Sequence, residues 1–136
     1  MSTNTIETLQ FNCTICPSEC LLTVGVERDA EGALVEVGSV TGNSCPRGEK
    51  FAHQELTCPM RVLTNTVAVS SGDEALLPVR TAEAIPLALH AQAMALIRGL
   101  VVKAPIRMGD VVLPNLLDTG TDLIASMDID RAQVAN

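Results

Sequence analysis

Five cysteines carry most of the chemistry open to this chain: Cys13, Cys16, Cys20, Cys45 and Cys58. Three stand in Cys13-Thr-Ile-Cys16-Pro-Ser-Glu-Cys20, and the fourth opens Cys45-Pro-Arg-Gly48. The spacing is C-x2-C-x3-C, then 24 residues, then C-P. Three thiolates on one tight loop wrap one corner of a metal centre, and a fourth arriving from a remote turn closes it. Four readings compete. A 4Fe–4S cluster takes four Cys thiolates and favours clustered cysteines with a Cys-Pro. A structural zinc ion also takes four, usually from two facing CxxC pairs, and Cys45 has no partner two residues away. A disulfide framework calls for an even count in an exported chain. A thioredoxin-like CxxC sits at a helix start after a strand, and Cys13 has little chain before it. The first two are the leading readings, with Cys13, Cys16, Cys20 and Cys45 as ligands. Cys58, before Pro59, is left as a small hydrophobe or an accessory thiol.

The elements that must position these sulfurs are legible around them. Residues 21–27 are rich in β-branched side chains and read as a strand. Residues 28–32 read as a turn, and residues 33–40 as a returning strand. Two strands and a turn fill the 24-residue gap and bring the chain back toward the first three cysteines. Residues 47–56 hold good helix formers and no Pro, so a helix starts near Cys45. Its N-terminus offers N–H groups and a positive dipole end to thiolate charge. Arg47 and Lys50 are basic residues at the same place, either solvated helix charges or groups that tune the centre or dock an acidic partner. His53 is expected at the surface, His90 packed or half-exposed, and Arg61 in a structural ion pair.

Composition limits the rest. The chain has 136 residues, no Trp, no Tyr and two Phe, so its core is aliphatic. Less apolar area is then available per buried residue, and a metal centre would help such a fold. Nine Lys plus Arg against sixteen Asp plus Glu give a net charge of -7. With no basic stripe, nucleic-acid binding is not expected. No apolar run reaches the ~20 residues of a membrane span. The first ten residues are polar and acidic, not basic then apolar, so the expected location is cytoplasmic.

Cys-x2-Cys-x3-Cys, a hairpin, then Cys-x-Arg-Gly resembles the N-terminal cluster domain of molybdopterin oxidoreductases over residues 11–52. That resemblance implies a 4Fe–4S cluster on Cys13, Cys16, Cys20 and Cys45, with Arg47 as the basic residue beside it. The pterin does not carry over, because the chain lacks the residues that bind it. A second resemblance covers nearly the whole chain. Cys13-Thr-Ile-Cys16-Pro17, Thr41-Gly-Asn-Ser-Cys45-Pro-Arg-Gly48, Phe51-Ala52, Glu55, Pro59-Met-Arg61-Val-Leu-Thr64, Leu77-Pro-Val-Arg-Thr81 and Ala104-Pro-Ile-Arg-Met-Gly-Asp110 are similar to a family of small uncharacterised proteins named for their CxxC pairs. Genes of that family often lie beside an FAD-dependent oxidoreductase and a glycerol-3-phosphate-dehydrogenase-like protein. The resemblance implies a small electron-transfer subunit of such a complex. Glu19 departs from both families, in which Gly is common there and permits a left-handed turn.

In the second half, residues 63–70 and 75–80 read as strands joined by a hairpin turn. Thr81 is expected to cap a helix approach, with Pro86 in the first turn and Leu87, His90, Met94 and Ile97 at helical spacing up to Gly99. Residues 100–103 and 110–113 read as strands, and residues 116–126 as one or two more. Met60, Met94, Met108 and Met127 are expected to fill core gaps. The fold class is therefore α+β: an N-terminal β-hairpin subdomain for the metal or cluster (residues 1–58), a small mixed α/β subdomain (residues 59–127) and a flexible tail (residues 128–136). The expected function is electron transfer to or from an FAD-dependent oxidoreductase through a 4Fe–4S cluster, with a structural zinc module as the alternative. The chain is not expected to convert a substrate alone.

Overall fold

The computed structural model describes residues 3–134. The fold is α+β, and the chain divides into two compact units, Met1–Pro59 and Met60–Asn136.

The first unit is a three-stranded antiparallel sheet and one helix. Its strands β1 (Thr5–Asn12), β2 (Leu21–Arg28) and β3 (Leu34–Thr41) pair in the order β1-β2-β3. Strand β2 alternates as its sequence demands. Leu22, Val24 and Val26 are buried, while Thr23, Gly25 and Glu27 point to the other face. The β2–β3 turn is held by the Asp29 carboxylate, which accepts from Glu31 N–H at 3.0 Å and Ala33 N–H at 2.8 Å. Strand β1 is an addition to what the sequence suggested. It pairs with β2 along its whole length, from Thr5 opposite Arg28 to Asn12 opposite Leu21. The three-cysteine segment is therefore the loop between two paired strands. Helix α1 (Pro46–Thr57) covers the buried face, with Ala52, Phe51 and Leu56 against Leu22, Val24, Val26 and the buried Cys13. Phe11 and Phe51 meet edge to face at 6.2 Å.

The second unit opens with β4 (Met60–Arg61), which pairs with β7 (Ile85–Pro86). The hairpin of β5 (Thr64–Ser70) and β6 (Leu76–Thr81) forms the middle of a five-stranded sheet. A 3-10 turn (Leu87–Leu89) and helix α2 (His90–Arg98) lead to β8 (Val101–Lys103), which lies parallel to β5 as a helical crossover requires. Strands β9 (Val111–Leu113) and β10 (Leu123–Ala125) complete the order β8-β5-β6-β10-β9. Val67, Leu77, Val79, Ile85, Ile97 and Leu123 centre the core.

Several expectations change here. Thr81 caps no helix: it ends β6, is buried, and its Oγ1 accepts from Leu63 N–H at 3.0 Å. Residues 116–118 form a 3-10 turn rather than a strand, because Asn115, Leu117 and Asp118 all have positive φ. On α2 the buried face is Ala93 and Ile97, and Met94 is exposed. Met108 and Met127 are exposed as well, so they fill no gap. The segment expected to be a tail is tied down at its start. Ile129 is buried and bridges Ile106, and Arg131 bridges Gly72. The last two residues of that tail lie outside the described residues. Among the described residues, no helix is long and apolar enough to cross a membrane.

Candidate metal centre

The loop between β1 and β2 is closed by its own backbone. Cys13 N–H donates to Cys20 C=O at 2.8 Å, and Glu19 N–H to Cys16 C=O at 3.4 Å. Asn12 Nδ2 adds a bond to Glu19 C=O at 3.0 Å. Glu19 itself sits at φ 47°, in the left-handed region. The turn that a Gly would make easily is thus made by Glu, at a backbone cost of about 1 kcal/mol. Cys13 ends up buried, Cys16 and Cys20 half-buried.

Cys45 is the N-cap of α1, with Pro46 as the first helical residue. Two glycines let its segment cross the start of β2. Gly42 has φ 89°, and a Cβ there would lie 2.1 Å from Leu21 C=O. A Cβ on Gly48 would lie 2.7 Å from Asn43 Cβ. Asn43 Nδ2 donates to Cys45 C=O at 3.0 Å, which fixes the approach to the helix. The outcome is direct contact between the two cysteine segments: Cys20 Sγ and Ser44 Oγ are 3.0 Å apart.

Electrostatics favour thiolates at both ends of this contact. The Cys45 thiol is held below its ordinary pKa by a hydrogen bond with the Arg47 side chain, then by the backbone N–H groups of Arg47 and Gly48 in the first helical turn. The Cys20 thiol is lowered by the Ser44 side chain and then the Ser44 backbone. Arg47 is in turn raised by its bond to Cys45 and by the charges of Cys45, Cys16 and Cys13. One guanidinium thus stands within electrostatic reach of three of the four cysteines.

No disulfide joins Cys13, Cys16, Cys20 or Cys45. Among the described residues, no three His, Cys, Asp or Glu side chains form a set closed around one ion. The four cysteines lie on two segments that touch at Cys20 and Ser44. Their chemistry fits a thiolate-bound centre: four soft donors, a cation, and the N–H groups of a helix start.

The remaining residues fall elsewhere. Cys58 is exposed at the C-cap of α1, the opposite end from Cys45 and about 20 Å along the axis. His53 is half-buried on the α1 face that carries Pro46, Glu49 and Lys50. His90 Nε2 lies 3.2 Å from Arg61 C=O, and the Arg61 guanidinium donates to Met60 C=O at 2.8 Å. Lys50 lines an open groove with Ile15, Arg47, Phe51 and Gln54. Ser44 and this groove were not anticipated. The only signal for Ser44 was its place beside Cys45.

Fold and site define a small α+β chain with four cysteines presented by two loops of its first unit. Residues 46–127 match the family described as a protein of unknown function (DUF1667), and the chain belongs to that family. The matched region begins just after Cys45 and so contains none of the four clustered cysteines. No curated protein matches the chain significantly. Among solved structures it is similar to the NMR structure of Clostridium perfringens protein CPE0013, with 22% identity and a TM-score of 0.51. That likeness covers 57% of this chain and 92% of the other, and it concerns the fold.

Proposed function

We propose that Cys13, Cys16, Cys20 and Cys45 hold a 4Fe–4S cluster, and that the chain passes single electrons between an FAD-dependent oxidoreductase and a second carrier. The observation that carries this reading is the contact of Cys20 with Ser44, next to Cys45, at 3.0 Å. It joins the three-cysteine loop to the residue just before the remote fourth cysteine. The cluster would supply a one-electron couple that the polypeptide lacks. The protein's own groups bind and tune. Burial of Cys13 keeps water from one side of the donor set. Arg47 and the first N–H groups of α1 offset the negative charge of four thiolates, which favours the reduced state and raises the potential. Ser44 holds Cys20 in its thiolate-favouring setting. The gene-neighbour pattern of the CxxC family that the sequence resembles points to the flavoprotein as partner.

Anaerobic purification followed by titration with dithionite tests this reading. A brown protein with a band at about 400 nm that fades on reduction supports it. A colourless protein with about one zinc per chain replaces it with a structural zinc module.

A further inference from the structure

We propose that the groove between the three-cysteine loop and α1 is the docking site for an acidic protein surface that projects one apolar side chain. The groove has a volume of about 310 Å³ and is lined by Ile15, Arg47, Lys50, Phe51 and Gln54. Its walls are apolar. Ile15, between Cys13 and Cys16, is 48% exposed. Phe51 is only half-buried, with Phe11 against one edge. Its rim is cationic, and that is unusual for this part of the chain. Residues 1–59 hold eight Asp or Glu but only three Lys or Arg: Arg28, Arg47 and Lys50. Arg28 is paired with Glu7 at 2.9 Å, on the sheet. The other two both stand at the groove.

Charge therefore selects the face and the sign of the partner. An acidic surface is repelled by the carboxylates elsewhere on the unit and attracted here. The apolar walls select its shape. A flat acidic patch would leave Ile15 and Phe51 wet, whereas a leucine or phenylalanine set among carboxylates fills the groove while its neighbours meet Lys50, Arg47 being engaged by Cys45. The opening is wide, which suits a side chain from a protein better than an enclosed metabolite. This deepens the electron-transfer reading, since the groove borders the loop of Cys13 and Cys16, but its test does not depend on the metal.

The probe is a synthetic capped peptide with one leucine flanked by glutamates, titrated into the ¹⁵N-labelled full chain. Amide shift changes confined to residues 14–16 and 47–54 are expected. Binding should weaken about tenfold between ~50 and ~300 mM salt, and about tenfold in Lys50→Glu. An Ile15→Ser variant should weaken binding without changing its salt dependence. The proposal is overturned if no shift occurs at ~2 mM peptide, if shifts map elsewhere, or if a peptide with glutamine in place of glutamate binds equally well. Metal content is measured on the same samples. Metal retained without docking removes only the groove, and docking retained without metal removes only the electron-transfer reading.

Discussion

At the scale of single residues, three positions decide whether the cysteine segments meet. Glu19 holds φ 47° where Gly would be unstrained. Glu19→Gly should therefore raise stability by about 1 kcal/mol, read by urea unfolding followed by far-UV circular dichroism. With no Trp and no Tyr, fluorescence offers no substitute. Gly42 is the opposite case. Its φ of 89° and the carbonyl of Leu21 leave no room for a Cβ. Gly42→Ala should cost ~2 kcal/mol or more in the same assay and reduce metal content with it. Ser44 is the third. Ser44→Ala removes the partner of Cys20. It should slow alkylation of Cys20 in the metal-free protein at neutral pH, because the thiol returns toward its ordinary pKa and less thiolate is present. Peptide mapping after iodoacetamide labelling measures that change. The four ligand candidates were legible because thiol spacing is a property of the sequence. Ser44 was not, because a hydroxyl beside a cysteine has no pattern that separates it from any loop serine.

At the scale of elements, the β2–β3 hairpin and α1 were readable. Alternating Leu22, Val24 and Val26, a turn with Asp29, and an uninterrupted run of helix formers after Pro46 each carry a local signal. Strand β1 was harder. Of its eight residues only Leu9 and Phe11 are even half-buried, so its apolar period is faint and its order comes from pairing with β2. The end of the chain failed for a related reason. Ile129 is a single apolar residue among Asp128, Asp130 and Arg131, yet it is fully buried in the second core. Such a residue has no periodicity to announce it. Ile129→Ala should cost about 3 kcal/mol in thermal or urea unfolding, where a true tail would show no change. The turn at residues 116–118 was misread as a strand because positive φ at Leu117 and Asp118 is set by the loop's hydrogen bonds, among them Gly120 N–H to Asn115 Oδ1 at 2.8 Å, and not by side-chain pattern.

At the scale of the whole molecule, the two units differ in how much core they own. The first buries Cys13, Leu22, Val24, Val26 and Ala52, while the second buries thirteen residues in one cluster. A small core gives little stabilisation of its own, and the proposed metal centre, tying residue 45 to residues 13–20, would add a cross-link where the core is thin. Removal of metal by a chelator should therefore lower amide hydrogen-exchange protection in β1–β3 and α1, without unfolding them, while leaving β5, β6 and α2 unchanged. Four sulfurs on two segments are proposed to bind one centre. Its most direct measurement is iron, acid-labile sulfide and zinc quantified together on anaerobically purified protein, wild type beside Cys45→Ser. About four iron and four sulfide per wild-type chain, lost in the variant, is the predicted result. Full metal content retained by folded Cys45→Ser would contradict it.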